Sequence, residues 1–274
     1  GAGAVVTISR HGDETYENLD RHADAAVIVN ATPVGMSPQC DASPLVSLDA
    51  FPNLEGVLDL IYNPAVTDLM QLAQQRGLVA VNGLTMLVTQ AAEAASVWFD
   101  RPVNRELCQS LHRDLAKKAC NVILIGMPGC GKTTVGKCLA QRLQRPFVDL
   151  DAEIVKTAGM PIPDIFTKFG EAHFRDLETE VLRTFANQHG LVIATGGGAV
   201  MRAVNQALMR RNGLILWLDR PLKDLATSGR PVTQARGVEA IYAEREPIYR
   251  HLADRRIPTT TVDGALCTIL GEKQ

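Results

Sequence analysis

Residues 121–133, Asn121-Val-Ile-Leu-Ile125-Gly126-Met-Pro-Gly129-Cys130-Gly131-Lys132-Thr133, pass from an unbroken apolar run into a glycine loop that ends in Lys-Thr. The spacing fits the phosphate-loop pattern G-x-x-x-x-G-K-[ST] in full. Glycines let the backbone wrap so that successive N–H groups face one anion, and a helix starting near Thr133 adds the positive end of its dipole. The surroundings agree: a buried strand precedes the loop, and Val135, Leu139 and Leu143 give the following helix an apolar stripe. A nucleotide phosphate chain would lie against Gly129, Cys130, Gly131 and Thr134. Lys132 would reach the β/γ-phosphates, and the Thr133 hydroxyl would ligate Mg²⁺.

Composition narrows the rest. A chain of 274 residues has room for two domains, and its 46% hydrophobic content is that of a globular protein. Cys40, Cys108, Cys120, Cys130, Cys138 and Cys267 form no C-x-x-C pair and have no histidine-rich partner spacing. They read as reduced thiols of a cytoplasmic protein without structural zinc. No apolar run approaches the ~18 residues of a membrane span, and no charged-then-apolar leader opens the chain. Neither a membrane nor secretion is expected. Residues 1–100 hold 3 arginines, no lysine and 12 acids, a net charge of −9 against +7 for the remainder. Two modules of different electrostatic character follow. The basic half suits an anionic small substrate better than nucleic acid, because its arginines are dispersed and aromatics are few.

In chain order, Gly1-Ala-Gly-Ala4 stands before the strand-like residues 5–10, whereas a dinucleotide fingerprint follows a strand and opens a helix. It reads as the tail of a helix. Residues 25–29 and 57–61 read as buried parallel strands; a helix from Asp68 to Arg76, closed by Gly77, leads to a further strand at 78–81. Repeated strand, loop and helix units specify an α/β parallel sheet. Ligands of such sheets sit at the carboxyl ends of strands, where Arg10, Asn30-Ala-Thr32 and Asn82-Gly83 fall. A guanidinium at the Arg10 position suits the 2′-phosphate of NADP, although spacing alone fits a surface arginine better.

Asn30-Ala-Thr-Pro-Val-Gly-Met36, Asp59-Leu-Ile-Tyr-Asn-Pro64 and Asn82-Gly-Leu-Thr-Met-Leu87 with Gln90-Ala-Ala92 resemble the cofactor domain of shikimate dehydrogenase over residues 1 to about 100. The resemblance implies Arg10 for the NADP phosphate, Asn30, Thr32, Gly83 and Met86 near the cofactor, and Tyr62 and Gln90 near shikimate. The family's glycine fingerprint, and the lysine and aspartate of its substrate domain, find no match. Residues 101–119 read as a polar helix whose stripe of Val103, Leu107, Leu111 and Leu115 packs on the first module, leaving a linker only around Lys117-Lys118.

Beyond the phosphate loop, residues 146–148 form a short strand delivering Asp149-Leu-Asp151. Two carboxylates at i and i+2 on a strand point the same way. Asp149 is placed to hold magnesium through water and Asp151 to accept from a substrate hydroxyl; a helix cap at Asp151 is the plainer reading. Among Phe166, Phe169 and Phe174, mostly core residues, Arg175 is the site candidate. A strand at 191–195 ends in Gly196-Gly197-Gly198, which permits close approach of a ligand to backbone. Another strand, 213–218, passes into Asp219-Arg-Pro221; residues 227–237 read as a mobile lid, and 239–249 as a helix with Arg245 near its end.

The phosphate loop, Asp149-Leu-Asp151, Phe174-Arg175 with Glu178, Gly196-Gly-Gly198, Arg230-Pro231 and Arg245-Glu-Pro-Ile-Tyr249 together resemble shikimate kinase over residues 120–265. The resemblance implies ATP- and Mg²⁺-dependent phosphorylation of the shikimate 3-hydroxyl, with Lys132, Asp151 and Arg230 catalytic. Arg175 and Arg245 would hold the substrate carboxylate, Gly197 and Gly198 the ring, and Arg230 would close over the phosphates. It further implies a basic residue just before the lid to stack on adenine, which Ala226-Thr227-Ser228 does not supply. The expectation is therefore two α/β modules: a truncated Rossmann-like NADP domain at 1–117 and a P-loop domain of the nucleoside-monophosphate-kinase type at 118–274, the latter expected to be monomeric. One module would make shikimate and the other consume it, as in a fragment of a fused dehydrogenase and kinase. A kinase of another small polyol acid, or a non-catalytic nucleotide-binding module, is the alternative.

Overall fold

The computed structural model describes residues 3–225 and 237–272. The chain divides into two compact units, Gly1–Ala116 and Lys117–Gln274. Each is an α/β unit built on a parallel sheet, which is the fold class the strand, loop and helix pattern implies.

The first unit has three parallel strands, β1 (Val27–Asn30), β2 (Gly56–Asp59) and β3 (Val79–Asn82), in the order β1-β2-β3. Helix α1 (Asp68–Gln75) is capped by the Thr67 hydroxyl, which accepts from Met70 N, and ends where Gly77 takes a φ of 72°. Together with Leu48, Phe51 and Leu54, its Leu69 and Ala73 cover one sheet face through Val57. The register sets Val27 against Gly56 and Val79, and Val29 against Leu58 and Val81, so these valines share the opposite face. Val27, Val29, Val79 and Val81 are 45–66% exposed. The sequence reading of residues 25–29 as a buried strand is thus corrected: only one face of β1 is covered. Residues 5–10 form no strand either; they make one isolated bridge, Ser9 to Thr15, and Val5 is exposed. Apolar alternation suits a strand, but only a ladder partner makes one.

Helix α2 (Leu84–Phe99) follows β3, and α3 (Arg105–Ala119) contains the unit boundary. Leu107, Leu111 and Leu115 of α3 are 44–52% exposed, so the expected burial of that stripe is not found. Lys117 and Lys118 lie inside the helix and not in a linker.

The second unit has five parallel strands in the order β5-β6-β4-β7-β8: β4 (Asn121–Ile125), β5 (Phe147–Asp149), β6 (Val192–Ala194), β7 (Gly213–Asp219) and β8 (Arg255–Pro258). Central β4 is buried at all five positions, which is why its sequence shows no alternation. Its first residue, Asn121, is polar yet fully buried, because its side chain donates to Gln188 O and accepts from Leu191 N. Helices α4 (Lys132–Leu143), α5 (Leu150–Ala158), α6 (Ile162–Ala186), α7 (Ala203–Asn212), α8 (Val238–Leu252) and α9 (Val262–Leu270) enclose the sheet. Helix α6 is broken at Gly170, whose φ of 81° and ψ of 173° are not helical.

Gly213, where α7 meets β7, has no space for a side chain: an added Cβ would stand 2.3 Å from Met209 O and 2.5 Å from Ile123 Cδ1. Substitution Gly213→Ala is expected to destabilise the second unit by about 1–3 kcal/mol, as overpacking does. The thermal midpoint would fall by roughly 2–4 °C per kcal/mol, and calorimetry showing no fall would refute the tight fit.

Candidate functional site

Between β4 and α4 the chain makes the turn that the glycine spacing requires. Gly126, Gly129 and Gly131 have φ of 142°, 85° and 99°. A Cβ on Gly126 would lie 2.5 Å from Leu218 O, so the loop is pressed against β7. Lys132 begins α4; its Nζ donates to Gly126 O at 2.9 Å and Met127 O at 3.0 Å, and the residue is 8% exposed. The lysine is thus folded over the loop whose amides would receive a phosphate. Cys130, within the loop, is fully buried.

The Thr133 hydroxyl donates to Asp149 Oδ2 at 2.6 Å. Asp149 Oδ1 accepts from Asp151 N and Ala152 N, so Asp149, not Asp151, caps α5. Because β5 ends at Asp149 and Asp151 lies in the first turn of α5, the alternation argument for two carboxylates on one strand face does not hold. The two still approach one site, by way of a helix turn. Thr133 and Asp149 offer paired hard oxygens beside the loop, a donor set that fits Mg²⁺, a cation that keeps several waters and takes only one or two protein ligands.

Gly196, Gly197 and Gly198 follow β6, and each one faces a different group. An added Cβ on Gly196 would stand 2.9 Å from both Asp151 Oδ1 and Glu178 Oε1; on Gly197, 2.7 Å from Pro128 of the phosphate loop; on Gly198, 2.7 Å from the Arg175 guanidinium. The three glycines form a floor touched by the phosphate loop, an aspartate and an arginine at once. Arg175 donates to Glu178 Oε2 at 2.8 Å and to Glu171 Oε1, and lies over the Phe174 ring. Burial works against its charge, but the charges and hydrogen bonds of Glu178 and Glu171 outweigh burial and raise its pKa. Burial pushes the Glu178 carboxyl above the usual range, Arg175 pulls it back, and Asp151 and Arg245 also act on it. Glu178 is 1% exposed, and its Oε1 has no hydrogen-bond partner. The sequence displayed Glu178 three residues after Arg175 in a helix, a spacing that pairs side chains; no role followed from it until burial was known.

Arg245 lies in the middle of α8, 5% exposed, with Nε unpartnered. One turn on, the Tyr249 hydroxyl donates to Gly197 O at 2.6 Å while its ring stacks on Trp217. Burial drives the Tyr249 hydroxyl strongly upward, and Arg245 opposes this through its charge and a hydrogen bond. Tyr249 therefore ties α8 to the glycine floor, a link with no local sequence signal because its partners are 52 residues apart. Arg230 and the lid lie outside the described residues.

In the first unit, Asn30 Nδ2 donates to Asp59 Oδ1, the Thr32 hydroxyl to Asn30 Oδ1, and the Thr67 hydroxyl to Asp59 Oδ2. Asn30 and Thr32 line a cavity of about 980 Å³ between residues 3–8 and β1. Gly83 is required because a Cβ there would stand 2.0 Å from Leu60 O. Tyr62, Met86, Gln90 and Arg10 are exposed, and Arg10 is not among the residues lining that cavity.

A buried parallel strand, a glycine loop with its lysine, a helix beginning on that lysine and a threonine–aspartate pair beside it define a P-loop phosphotransferase. The family model of shikimate kinase matches residues 128–268, just over half of the chain. The shikimate kinase of Nitrosomonas europaea is 44% identical over 142 residues, covering 48% of this chain and 67% of that protein. That of Burkholderia lata is 40% identical over 161 residues, covering 55% and 88%. A solved shikimate kinase from Acinetobacter baumannii, in complex with shikimate, superposes with a TM-score of 0.53 at 34% identity, over 58% of this chain and 98% of that one. The chain belongs to the shikimate kinase family. None of the six cysteines is joined in a disulfide, and no helix among the described residues is long and apolar enough to cross a membrane.

Tyr249→Phe keeps the ring and deletes the bond to Gly197 O, a loss of about 0.5–1.5 kcal/mol. The KM for the acceptor alcohol is expected to rise severalfold with the KM for nucleotide unchanged; an unchanged acceptor KM would remove Tyr249 from the positioning of the floor.

Proposed function

We propose that the second unit transfers the γ-phosphate of ATP to the 3-hydroxyl of shikimate. The observation that carries this reading is the floor of Gly196, Gly197 and Gly198, in contact with Pro128 of the phosphate loop, Asp151 and Arg175. An acceptor lying there is held next to the phosphate chain, and phosphoryl transfer depends on positioning and charge rather than covalent catalysis. Arg175 and Arg245 face the acceptor carboxylate with guanidinium forks suited to it. Asp151 accepts from the acceptor hydroxyls and takes the proton of the attacking one. Gly129, Cys130, Gly131, Lys132, Thr133 and Thr134 bind the phosphates, Lys132 leaving the loop carbonyls for the β/γ-phosphates. Mg²⁺, held by Thr133 and through water by Asp149, would neutralise charge on the phosphate oxygens when bound. Arg230 is assigned to phosphate closure from sequence alone. We place the domain boundary at 117/118, expect a monomeric kinase unit in the cytoplasm, and assign no nucleic-acid partner.

Coupled ADP release across shikimate, quinate and gluconate tests the reading: turnover is expected with shikimate, and gluconate as the preferred acceptor would overturn it. Arg175→Leu and Arg245→Leu each remove a charged hydrogen bond of roughly 1.5–3 kcal/mol, so the shikimate KM should rise about tenfold to a hundredfold. A rise confined to ATP would reassign both arginines.

For the first unit we propose a cofactor domain of the shikimate dehydrogenase type, supported by its parallel sheet and by Asn30 and Thr32 in the lining of its cavity. Residues 1–116 contain no lysine, so the unit has no counterpart of the family's proton-transferring lysine. The given chain is expected to show no reduction of NADP⁺ at saturating shikimate. Appearance of NADPH absorbance would sink that expectation.

A further inference from the structure

Arg220 directly follows β7, the strand that pairs with β4 as far as Ile125 opposite Trp217, and so emerges at the carboxyl edge of the sheet beside the phosphate loop. Its Nη1 stands 4.0 Å from where a Cβ on Gly131 would be. Its Nε is buried and has no hydrogen-bond partner. The adjacent carboxylate does not supply one: Asp219 Oδ2 accepts from Arg256 Nε at 2.9 Å and Nη2 at 2.5 Å, and Arg256 lies over the Trp217 ring. A guanidinium that is partly desolvated without an anion is costly, and such a group beside a cradle of backbone amides is complementary to phosphate.

We propose that Arg220 is a nucleotide-binding residue that donates to the α- and β-phosphate oxygens of ATP. The sheet order fixes which phosphates. The acceptor floor follows β6, on one side of β4, whereas Arg220 follows β7, on the other. The γ-phosphate must point to the floor, so the β7 side of the loop is left to the α/β portion. Lys132, now on the loop carbonyls, and Arg220 then flank the phosphate chain from two directions. The sequence offers Arg220 only as one arginine after a strand; its proximity to Gly131 comes from the β4–β7 pairing.

The inference rests on the nucleotide reading given above, and the two are separable by experiment. Calorimetric titration of the full chain with ATP and with ADP is compared among the wild type, Arg220→Gln and Arg220→Lys, alongside the shikimate KM and the thermal midpoint. For Arg220→Gln the dissociation constants of ATP and ADP should both rise about tenfold, as for a lost charged hydrogen bond. Arg220→Lys should restore part of the loss, with the shikimate KM and midpoint unchanged. Constants within twofold of the wild type would overturn the proposal. So would a weakening that extends equally to shikimate and comes with a lowered midpoint, which would make Arg220 structural. A wild type that binds neither nucleotide overturns the nucleotide reading itself, and this inference with it.

Discussion

The kinase unit depends on how closely backbone segments approach one another at the carboxyl edge of its sheet. Gly126 lies against Leu218 O and Gly197 against Pro128, each too near for a Cβ. These contacts press the phosphate loop against the end of β7 and against the acceptor floor so closely that neither glycine has room for a side chain. The consequence is geometric. Side chains that arrive at the edge, Asp151 from α5, Arg175 from α6 and Arg245 from α8, converge because the surfaces they meet are already fixed.

Convergence of charge has its own requirement. Arg175 is largely shielded from water, and a buried guanidinium without an anion is unfavourable. Glu178 answers this on the same helix, at the cost of burying a carboxylate whose second oxygen is left unpartnered beside Gly196. Both groups of the pair are pushed upward, the arginine by its anion and the glutamate by burial. The pair keeps Arg175 aimed at the floor, and the unused Glu178 oxygen makes that floor polar where an acceptor hydroxyl would lie. Positioning is the catalytic resource of such a site.

What could be read from residues alone follows the range of the interactions. The phosphate loop, the β4 run and the triple glycine were legible because each is specified within a dozen residues by period or by glycine spacing, whereas roles for Arg175 and Arg245 came only with the family resemblance. The cap of α5 was misplaced by two residues, since Asp149 and Asp151 have identical local credentials and only the end of β5 separates them. Glu178, Tyr249 and Arg220 were in view without roles. Their significance lies in burial and in contacts across long separations, which no window of sequence contains. In the first unit, the apolar run at residues 25–29 marked β1 but not which of its faces is covered, and the run at 5–10 makes a single bridge instead of a strand; a run of valines has the same composition whether one face is covered or two.

The two units differ in how well their sheets are enclosed. Strand β4 is buried at every residue between β6 and β7, and its unit gathers a core running from Val122 to Leu266. Among the described residues, the three-stranded sheet has a core cluster of six buried apolar residues and leaves Val27, Val29, Val79 and Val81 facing outward. Apolar burial stabilises by roughly 25 cal/mol per Å², so a sheet covered on one face gains about half of what the same strands could contribute. Hydrogen bonds at the strand ends compensate in part: Asn30, Asp59 and Thr67 link β1, β2 and the start of α1 through side chains. Those bonds engage the polar groups that stand where ligands of a parallel sheet are bound, so in this unit residues at a ligand-binding position also hold the strand ends together. In the kinase unit the carboxylates at strand ends are likewise engaged, Asp149 by Thr133 and Asp219 by Arg256, but Lys132 donates to loop carbonyls that a phosphate can replace, and Arg245 keeps a buried Nε without a partner.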